Sequence, residues 1–269
     1  MQTSMKKDDI SRCLVEARLS AQALPDFPGC LPESLERAYA IQSKSIERWP
    51  DDVAGWKVAR LSESDRERFA AERLVGPVFR SSVRHAEPGT PVTMPVFDGG
   101  FAAIEAEIVL VLESEVLPGE RDYTDEELTG LVAAMHCGAE IASSPMAVVN
   151  DRGATSVVAD LGINAGVIVG PELPGWRGPA SVSLTVTVTV EGTVKGDVTV
   201  DSAARDPLRA LRFLVNHCAG HNIVLPAGTL VSTGAMTGVH DVKVESVSHI
   251  DFGAYGRLDV LYAPISGRR

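Results

Sequence analysis

The segment FAAIEAEIVLVLE, residues Phe101–Glu113, places two acids at the start of an otherwise apolar run. Five consecutive apolar residues, Ile108–Leu112, indicate a strand that is buried on both faces. Glu105 and Glu107 are two residues apart, so in a strand their side chains share a face, about 7 Å apart along the chain. Because an unpaired buried carboxylate is costly, the segment predicts a positive group between the two acids.

Composition limits the classes of protein that the chain can belong to. The 269 residues are 45% hydrophobic and 23% charged, as in one large globular domain or a core with a smaller appendage. The formal net charge of -11 argues against binding to nucleic acid. No apolar run approaches a membrane span, no secretory signal follows the first lysines, and the four cysteines are scattered. These features predict a cytoplasmic protein with reduced thiols and no membrane partner.

The first ninety residues are helical in pattern. Apolar residues recur at helical intervals over Ile10–Leu24 and Glu33–Trp49, and a Pro/Gly-rich breaker separates the two segments. The following DDVAGWKVARL predicts a short strand that Lys57 interrupts. Turn residues mark a boundary near position 90, so we expect an amino-terminal helical, or α+β, region over residues 1–90.

Two further helices are predicted beyond that boundary. Thr124 and Glu127 fit a capping box, which predicts a helix that runs to about Ile141. An Asp-Pro pair predicts a second helix to about His217, with Asp206 as its N-cap.

Strand patterns dominate the rest of residues 91–269. Thr and Val alternate over much of residues 181–200, which is typical of an antiparallel sheet with one solvated face. We therefore predict a mixed α+β fold with a β-rich core over residues 91–269.

A third acid suggests a common role for the first two. Glu140 lies between apolar neighbours, near the end of the predicted helix. With Glu105 and Glu107 it would offer the carboxylate oxygens that Mg²⁺ prefers, although the three acids could also be solvated surface groups. His136 precedes Glu140 by one helical turn, and such a pair could bind zinc, but the carboxylate-rich set favours a hard ion.

Eight short motifs resemble, in their order, the fumarylacetoacetate hydrolase superfamily, and especially its 2-keto-4-pentenoate hydratase and 2-oxo-hept-4-ene-1,7-dioate hydratase branch. The resemblance spans nearly the whole chain and implies a mixed β-roll or β-sandwich core with an amino-terminal helical region. It also implies that Glu105, Glu107 and Glu140 bind Mg²⁺ or Mn²⁺. The motifs are LVEAR, AYAIQ, GWKVA, GPVF, IEAEIVLVL, GAEIASS, ADLGINAGVIVG and LVSTGAMTG.

The same resemblance places three residues in the catalytic machinery. Lys57 corresponds to an active-site lysine that could hold a substrate oxygen or move a proton, unless it simply reaches solvent from an edge strand. Asp160 could orient Lys57 or a water molecule, or only cap a turn. Ser144 follows the third acid as the family's serine does.

Substrate-binding groups are predicted at a glycine turn and at one arginine. Thr233, Gly234 and Ala235 could offer backbone N–H groups to a substrate carboxylate. Arg60 and Arg152 are cations that the motifs do not require, and either could bind a second carboxylate.

Three departures from the family pattern put hydration in doubt more than metal binding. Leu74 and Leu161 stand where hydratases carry an Asp and an Asn, and Pro145 stands where they carry an Arg.

The sequence therefore predicts a metal-dependent lyase that hydrates a 2-oxo-4-enoate, of the 2-hydroxypenta-2,4-dienoate type, to a 4-hydroxy-2-oxo acid. A 2-oxo acid decarboxylase and an acylpyruvate-type carbon–carbon hydrolase are the alternatives among enzymes. A non-catalytic ligand-binding or partner protein is the alternative outside them. We also expect a homo-oligomer that could associate with a pathway enzyme.

Overall fold

The computed structural model describes residues 6–119, 122–177 and 182–267. Helices in this part of the chain are α1 (Lys7–Ser20), α2 (Leu35–Arg48), α3 (Glu63–Phe69), α4 (Asp125–Gly130), α5 (Ala154–Ala159) and α6 (Arg205–Gly220). Its strands are β1 (Val53–Arg60), β2 (Arg73–Phe79), β3 (Val83–His85), β4 (Val92–Val96), β5 (Phe101–Leu112), β6 (Val132–Ser144), β7 (Asn164–Glu172), β8 (Leu184–Val190), β9 (Thr193–Val200), β10 (Leu230–Ser232), β11 (His240–Asp241), β12 (Val247–Asp251) and β13 (Arg257–Pro264).

The strands form two sheets. The larger sheet has the order β2-β1-β10-β5-β6-β7-β3, with β11 also paired to β5, and it curls into a half-barrel. The smaller sheet has the order β4-β13-β12-β8-β9. The predicted mixed α+β fold with amino-terminal helices is confirmed. None of the helices in the described residues is long and apolar enough to cross a membrane.

The acid-bearing segment forms β5, near the middle of the larger sheet, between β10 and β6. Burial extends along nearly the whole strand, because sheet neighbours flank it and apolar side chains cover both faces. Glu105 on β5 lies directly opposite Glu140 on β6 in the antiparallel register. The prediction of a strand buried on both faces is confirmed.

The Thr/Val alternation forms the hairpin of β8 and β9 in the smaller sheet. Buried and more exposed residues alternate along β8, as predicted for a sheet with one solvated face. The connecting residues Glu191 and Gly192 have φ values of 50° and 74°, the left-handed conformations that a two-residue hairpin requires.

The prediction of a helix up to Ile141 is correct only for its first turns and wrong beyond Gly130. The capping box of Thr124 and Glu127 is present, but α4 ends at Gly130 and the chain continues as β6. Residues 132–144 pair with β5 along their length and also with β7. Local helix propensity is weak compared with the burial and hydrogen bonding of a central strand, so the tertiary pairing decides the conformation.

The remaining helices follow the predicted pattern with shifted ends. α1 and α2 occupy the two amino-terminal segments, each ending before its predicted limit. Asp206 is not the N-cap of α6, because Ala204 precedes the helix and Asp206 lies in its first turn. Its carboxylate instead accepts a hydrogen bond from Arg73, 2.7 Å away, and forms an ion pair with Arg60 at 2.6 Å.

The first ninety residues contribute strands to the larger sheet. β1 pairs with β10, and β3 pairs with β7, so strands from both sides of the predicted boundary share one sheet. The division near residue 90 remains a prediction.

Candidate metal centre

Three buried carboxylates converge at the centre of the larger sheet. Glu105 and Glu107 come from β5 and Glu140 from β6, and one oxygen of each lies within 4.8 Å of the others. Glu140 reaches this point from a strand rather than from the predicted helix. Cross-strand pairing with Glu105 brings the third acid beside the first two.

Lys57 is the positive group that the two acids of β5 require. It lies on β1 with only 2% of its surface exposed, and its Nζ is 3.2 Å from Glu140 Oε1. The aliphatic part of its side chain runs along Gly162, where an added Cβ would lie 3.3 Å from Lys57 Cδ. Lys57 is therefore a buried ammonium rather than an edge-strand lysine, and it neutralises only one of three carboxylates.

The pKa values of these groups show the effect of the charge imbalance. Burial alone would lower the pKa of Lys57, but Glu140, Glu105 and Glu107 raise it above its usual value. Burial raises the pKa of Glu105 to about 7, repulsion by Glu140 adds to the rise, and Lys57 opposes it. Burial and the other two acids raise the pKa of Glu107 well above the usual value. The excess of buried negative charge therefore favours the binding of a further cation or of protons.

Two fully buried carboxylate oxygens have no hydrogen-bond partner in the described part of the chain. Glu107 Oε2 accepts hydrogen bonds from Ser232 Oγ and from the Gly234 N–H, 3.0 Å away. Glu140 Oε1 accepts from Lys57 and from Asn164 Nδ2, 3.0 Å away. The second oxygens, Glu107 Oε1 and Glu140 Oε2, are buried and unpartnered.

These residues fit a hard divalent cation. Carboxylate oxygens that are buried, unpartnered and close to a third acid are the ligands that Mg²⁺ and Mn²⁺ prefer. The alternative zinc pair is not supported, because the group of potential ligands found among the described residues consists of the three glutamates, and His136 Nδ1 lies 3.0 Å from the Gly170 carbonyl. Glu105, Glu107 and Glu140 can hold Mg²⁺ or Mn²⁺.

A cleft of about 230 Å³ leads to this centre. Lys57, Glu105 and Ala235 are among its lining residues, so one acid of the cluster and the buried lysine face the same opening. Arg60 and Asp65 supply further charge, and the apolar part of the wall consists of Ala59, Leu61, Leu74, Ala154, Val157, Ile163 and Val239. This volume lies below the range of pockets for drug-sized ligands and suits a small substrate.

Asp160 and Ser144 are buried outside this cleft. Asp160 does not contact Lys57; its carboxylate pairs with Arg18 at 2.6 Å. Ser144 lies four residues beyond Glu140, about 13 Å along the strand, and its Oγ accepts a hydrogen bond from the Met146 N–H. The catalytic roles predicted for both residues remain predictions.

The glycine turn lies beside the centre, but two of its N–H groups are engaged within the protein. The Thr233 N–H donates to the Ile108 carbonyl, and the Gly234 N–H donates to Glu107. Ala235 lines the cleft. Binding of a substrate carboxylate by this turn remains a prediction.

Arg152 forms a two-point ion pair with Asp26 near the surface, at 2.6 and 2.7 Å. Its neighbour Gly153 lines the cleft, as does Arg60. A role for Arg152 in substrate binding also remains a prediction.

The sequence patterns did not indicate roles for Asn164, Ser232 and Arg18. Asn164 and Ser232 donate hydrogen bonds to Glu140 and Glu107, and Arg18 binds the neighbouring Asp160. Arg18 left a signal, because it continues the apolar stripe of Ile10 and Leu14 on α1 and is buried with them. Asn164 and Ser232 are single polar residues at strand ends, and no local pattern distinguishes them.

The chain belongs to the fumarylacetoacetate hydrolase family: residues 57–258 match the family model for the fumarylacetoacetate (FAA) hydrolase C-terminal region. No curated protein sequence matches the chain. The hydratase branch within the family is not established by this match.

Solved structures share the fold at low sequence identity. 4-Oxalocrotonate decarboxylase from Pseudomonas putida G7, complexed with calcium and acetate, is 17% identical with a TM-score of 0.76, covering 97% of this chain and 100% of that one. Fumarylpyruvate hydrolase from Pseudomonas aeruginosa, with Mn²⁺ and pyruvate, is 16% identical with a TM-score of 0.57, covering 78% and 89%. A 2-hydroxyhepta-2,4-diene-1,7-dioate isomerase from Mycobacterium marinum is 15% identical with a TM-score of 0.52, covering 80% and 77%.

Proposed function

We propose that the protein is a metal-dependent lyase that acts on small 2-oxo acids, and that it hydrates a 2-oxo-4-enoate. The observation that carries this proposal is the convergence of Glu105, Glu107, Glu140 and buried Lys57 beside a small cleft. A 2-oxo acid offers a carboxylate oxygen and an adjacent keto oxygen, which together suit chelation by a divalent ion held by carboxylates.

In this proposal, the bound ion and Lys57 have different roles. A divalent ion, when bound, supplies Lewis-acid polarisation of the substrate carbonyl. Lys57 keeps a positive charge in a poorly solvated position, where it stabilises negative charge that develops on the substrate. Its pKa, raised by the three acids, keeps the ammonium form at neutral pH, so Lys57 serves as an electrostatic group rather than as a general base.

Decarboxylation of a 2-oxo dicarboxylic acid is the second candidate reaction. It is favoured by Leu74, which lines the cleft where hydratases of the family carry an acid, since an apolar side chain cannot position a water molecule. The other two departures lie outside the cleft lining, with Leu161 buried and the Pro145 carbonyl accepting from the Leu24 N–H. The decarboxylase from Pseudomonas putida, which the chain matches over its full length, supports the same alternative.

A two-substrate assay separates these reactions. With Mn²⁺ present, hydration removes the ultraviolet absorbance of 2-hydroxypenta-2,4-dienoate without release of CO₂. Decarboxylation releases CO₂ from 4-oxalocrotonate. Lys57→Met should abolish most of the activity, and Lys44→Met, which changes a surface lysine paired with Glu47, should leave it unchanged. Absence of turnover on both substrates, with Mn²⁺ bound, would support a non-catalytic binding protein instead.

Self-association is proposed on separate grounds. β9 is an edge strand of the smaller sheet, and Val194 on this strand is 60% exposed. Leu261 on β13 of the same sheet is 38% exposed. An edge strand with exposed apolar side chains is suited to burial against a second copy. Sedimentation at micromolar concentration tests this, and a strictly monomeric profile would contradict it.

A further inference from the structure

A buried arginine ties the amino-terminal helix to the core. Arg18 lies on α1, outside the family-matched residues 57–258, yet its side chain is only 5% exposed. Its Nε and Nη2 donate to the Asp160 carboxylate at 2.6 and 2.9 Å. Nη2 also donates to the Ser143 and Asp160 carbonyls at 3.0 Å, and Nη1 donates to the Asn164 carbonyl at 3.2 Å.

The segment that Arg18 holds has an unusual backbone. Leu161, Gly162 and Ile163 have φ values of 57°, 66° and 54°, three consecutive left-handed conformations. A β-branched residue such as Ile163 rarely adopts this conformation, and it persists only where surrounding contacts impose it. Arg18 supplies such contacts on both sides of the turn, at Asp160 and at Asn164.

The end of this turn presents Asn164 to a metal ligand. Asn164 Nδ2 donates to Glu140 Oε1 at 3.0 Å, and Lys57 approaches the same oxygen at 3.2 Å. With Oε1 engaged twice, the carboxylate plane is set and the unpartnered Oε2 is the atom left for a cation. Outer groups that orient a ligand in this way commonly raise metal affinity by about 10–100-fold.

We propose that Asn164 is a positioning residue for Glu140, and that Arg18 acts on the metal centre by holding Asn164 in place. The amino-terminal helix is then part of the metal site, although it contributes no ligand. This inference rests on the metal centre and not on the reaction, so it is tested by binding of Mn²⁺ to the full chain without substrate.

The first test compares two buried amides. Asn164→Ala removes the donor to Glu140, whereas Gln42→Ala removes a buried amide that donates to the Val75 and Val158 carbonyls, at 3.0 and 2.9 Å. Titration with Mn²⁺, followed by the electron paramagnetic resonance of free ion, should give a Kd about tenfold or more higher for Asn164→Ala. Gln42→Ala should lower Tm while its Kd stays within twofold of the wild type.

A Kd for Asn164→Ala within twofold of the wild type, or lower, would overturn the proposal. An equal rise in both variants would overturn it too, because the rise would then follow general loss of packing. If Asn164→Ala does not fold, Asn164→Ser, which keeps a polar group too short to reach Glu140, gives the same comparison.

The second test asks whether Arg18 acts through Asn164. Arg18→Met should also raise the Kd for Mn²⁺, and the double variant Arg18→Met/Asn164→Ala should raise it no more than the larger single change. Multiplied effects in the double variant would show that Arg18 reaches the centre by another route, which would overturn that part of the proposal.

Discussion

Two of the charge clusters that are buried among the described residues differ in the balance of positive and negative charge. Arg18 and Asp160 form a one-to-one pair in which every described nitrogen of the guanidinium donates a hydrogen bond. Glu105, Glu107 and Glu140 face the single ammonium of Lys57, and two of their fully buried oxygens have no hydrogen-bond partner among the described residues. In the first cluster, charges and hydrogen bonds are balanced within the protein. In the second, negative charge exceeds positive charge, and a further cation would restore the balance.

This difference separates structural charge from functional charge. A balanced, fully hydrogen-bonded pair holds segments together and does not need a ligand. A surplus of buried negative charge raises pKa values and leaves binding capacity for an ion. The following variants alter the balance of each cluster.

The largest effect is expected from breaking the balanced pair. Arg18→Met leaves Asp160 as a buried charge without its partner, which should lower the free energy of unfolding by about 3–5 kcal/mol. Arg18→Met/Asp160→Leu removes both charges and should recover much of that loss. Urea denaturation of the apo-protein measures both changes. A double variant as unstable as Arg18→Met would show that the pair contributes mainly through its hydrogen bonds to the backbone.

Removing one acid from the unbalanced cluster should cost far less stability than breaking the balanced pair. Glu107→Ala removes one of the two unpartnered ligand oxygens, so calorimetric titration should detect no Mn²⁺ binding. The apo-protein should keep its fold and lose like-charge repulsion, so its stability should not fall by the amount expected for Arg18→Met. Glu33→Ala, which removes an exposed ion pair with Arg37, is the matched control. Wild-type affinity in Glu107→Ala would refute the ligand assignment.

Removing the one cation of the unbalanced cluster should separate chemistry from metal binding. Lys57→Met should lower kcat by about 100-fold, or about 2.7 kcal/mol, as for other groups that stabilise developing charge. Mn²⁺ affinity should stay the same or increase slightly, because a neighbouring positive charge is lost. Unchanged kcat and KM, measured at saturating Mn²⁺, would place Lys57 outside the reaction.

The smallest effect concerns pH. Because burial raises the pKa of Glu105 to about 7, a proton must leave when Mn²⁺ binds below that pH. Affinity should therefore rise with pH from about 5 to about 7, by at most about tenfold per unit for one proton. Because of the same raised pKa, the native state binds more protons than the unfolded state between about pH 4.5 and pH 7. The contribution of Glu105 to the stability of the apo-protein should therefore fall as the pH rises through this window.

Calorimetry in buffers of different ionisation enthalpy counts the protons released. A flat affinity profile from pH 5 to pH 7 would contradict the raised pKa. Glu107, whose pKa is raised by burial and by the other two acids, should add to the rise in affinity with pH.

The sequence predicted the acid-bearing strand and its chemistry well, because both depend on short-range patterns. The apolar run of Ile108–Leu112 specified a buried strand, and the two-residue spacing of Glu105 and Glu107 specified one shared face. The strand pattern also specified the β8–β9 hairpin. Glu140 and Lys57 stood out as charged residues in apolar segments, the family resemblance implied their roles, and the structure brings all four groups together.

The sequence was a poor guide where distant residues decide the outcome. An Ala-rich stretch after a true capping box predicts a helix, yet residues 132–144 are a strand because β5 and β7 pair with them on both sides. Asp160 looked like a partner for Lys57, but its partner is Arg18, 142 residues earlier.

By itself, therefore, the sequence determined the kind of fold, the two acids on one face of β5 and the need for positive charge between them. These follow from periodicity and from the cost of burying charge, which act over a few residues. Only the tertiary structure decided which oxygens are engaged and which are left for a cation. That choice depends on Lys57, Asn164 and Ser232, which come from three other strands, and on the sheet that brings them to the same point.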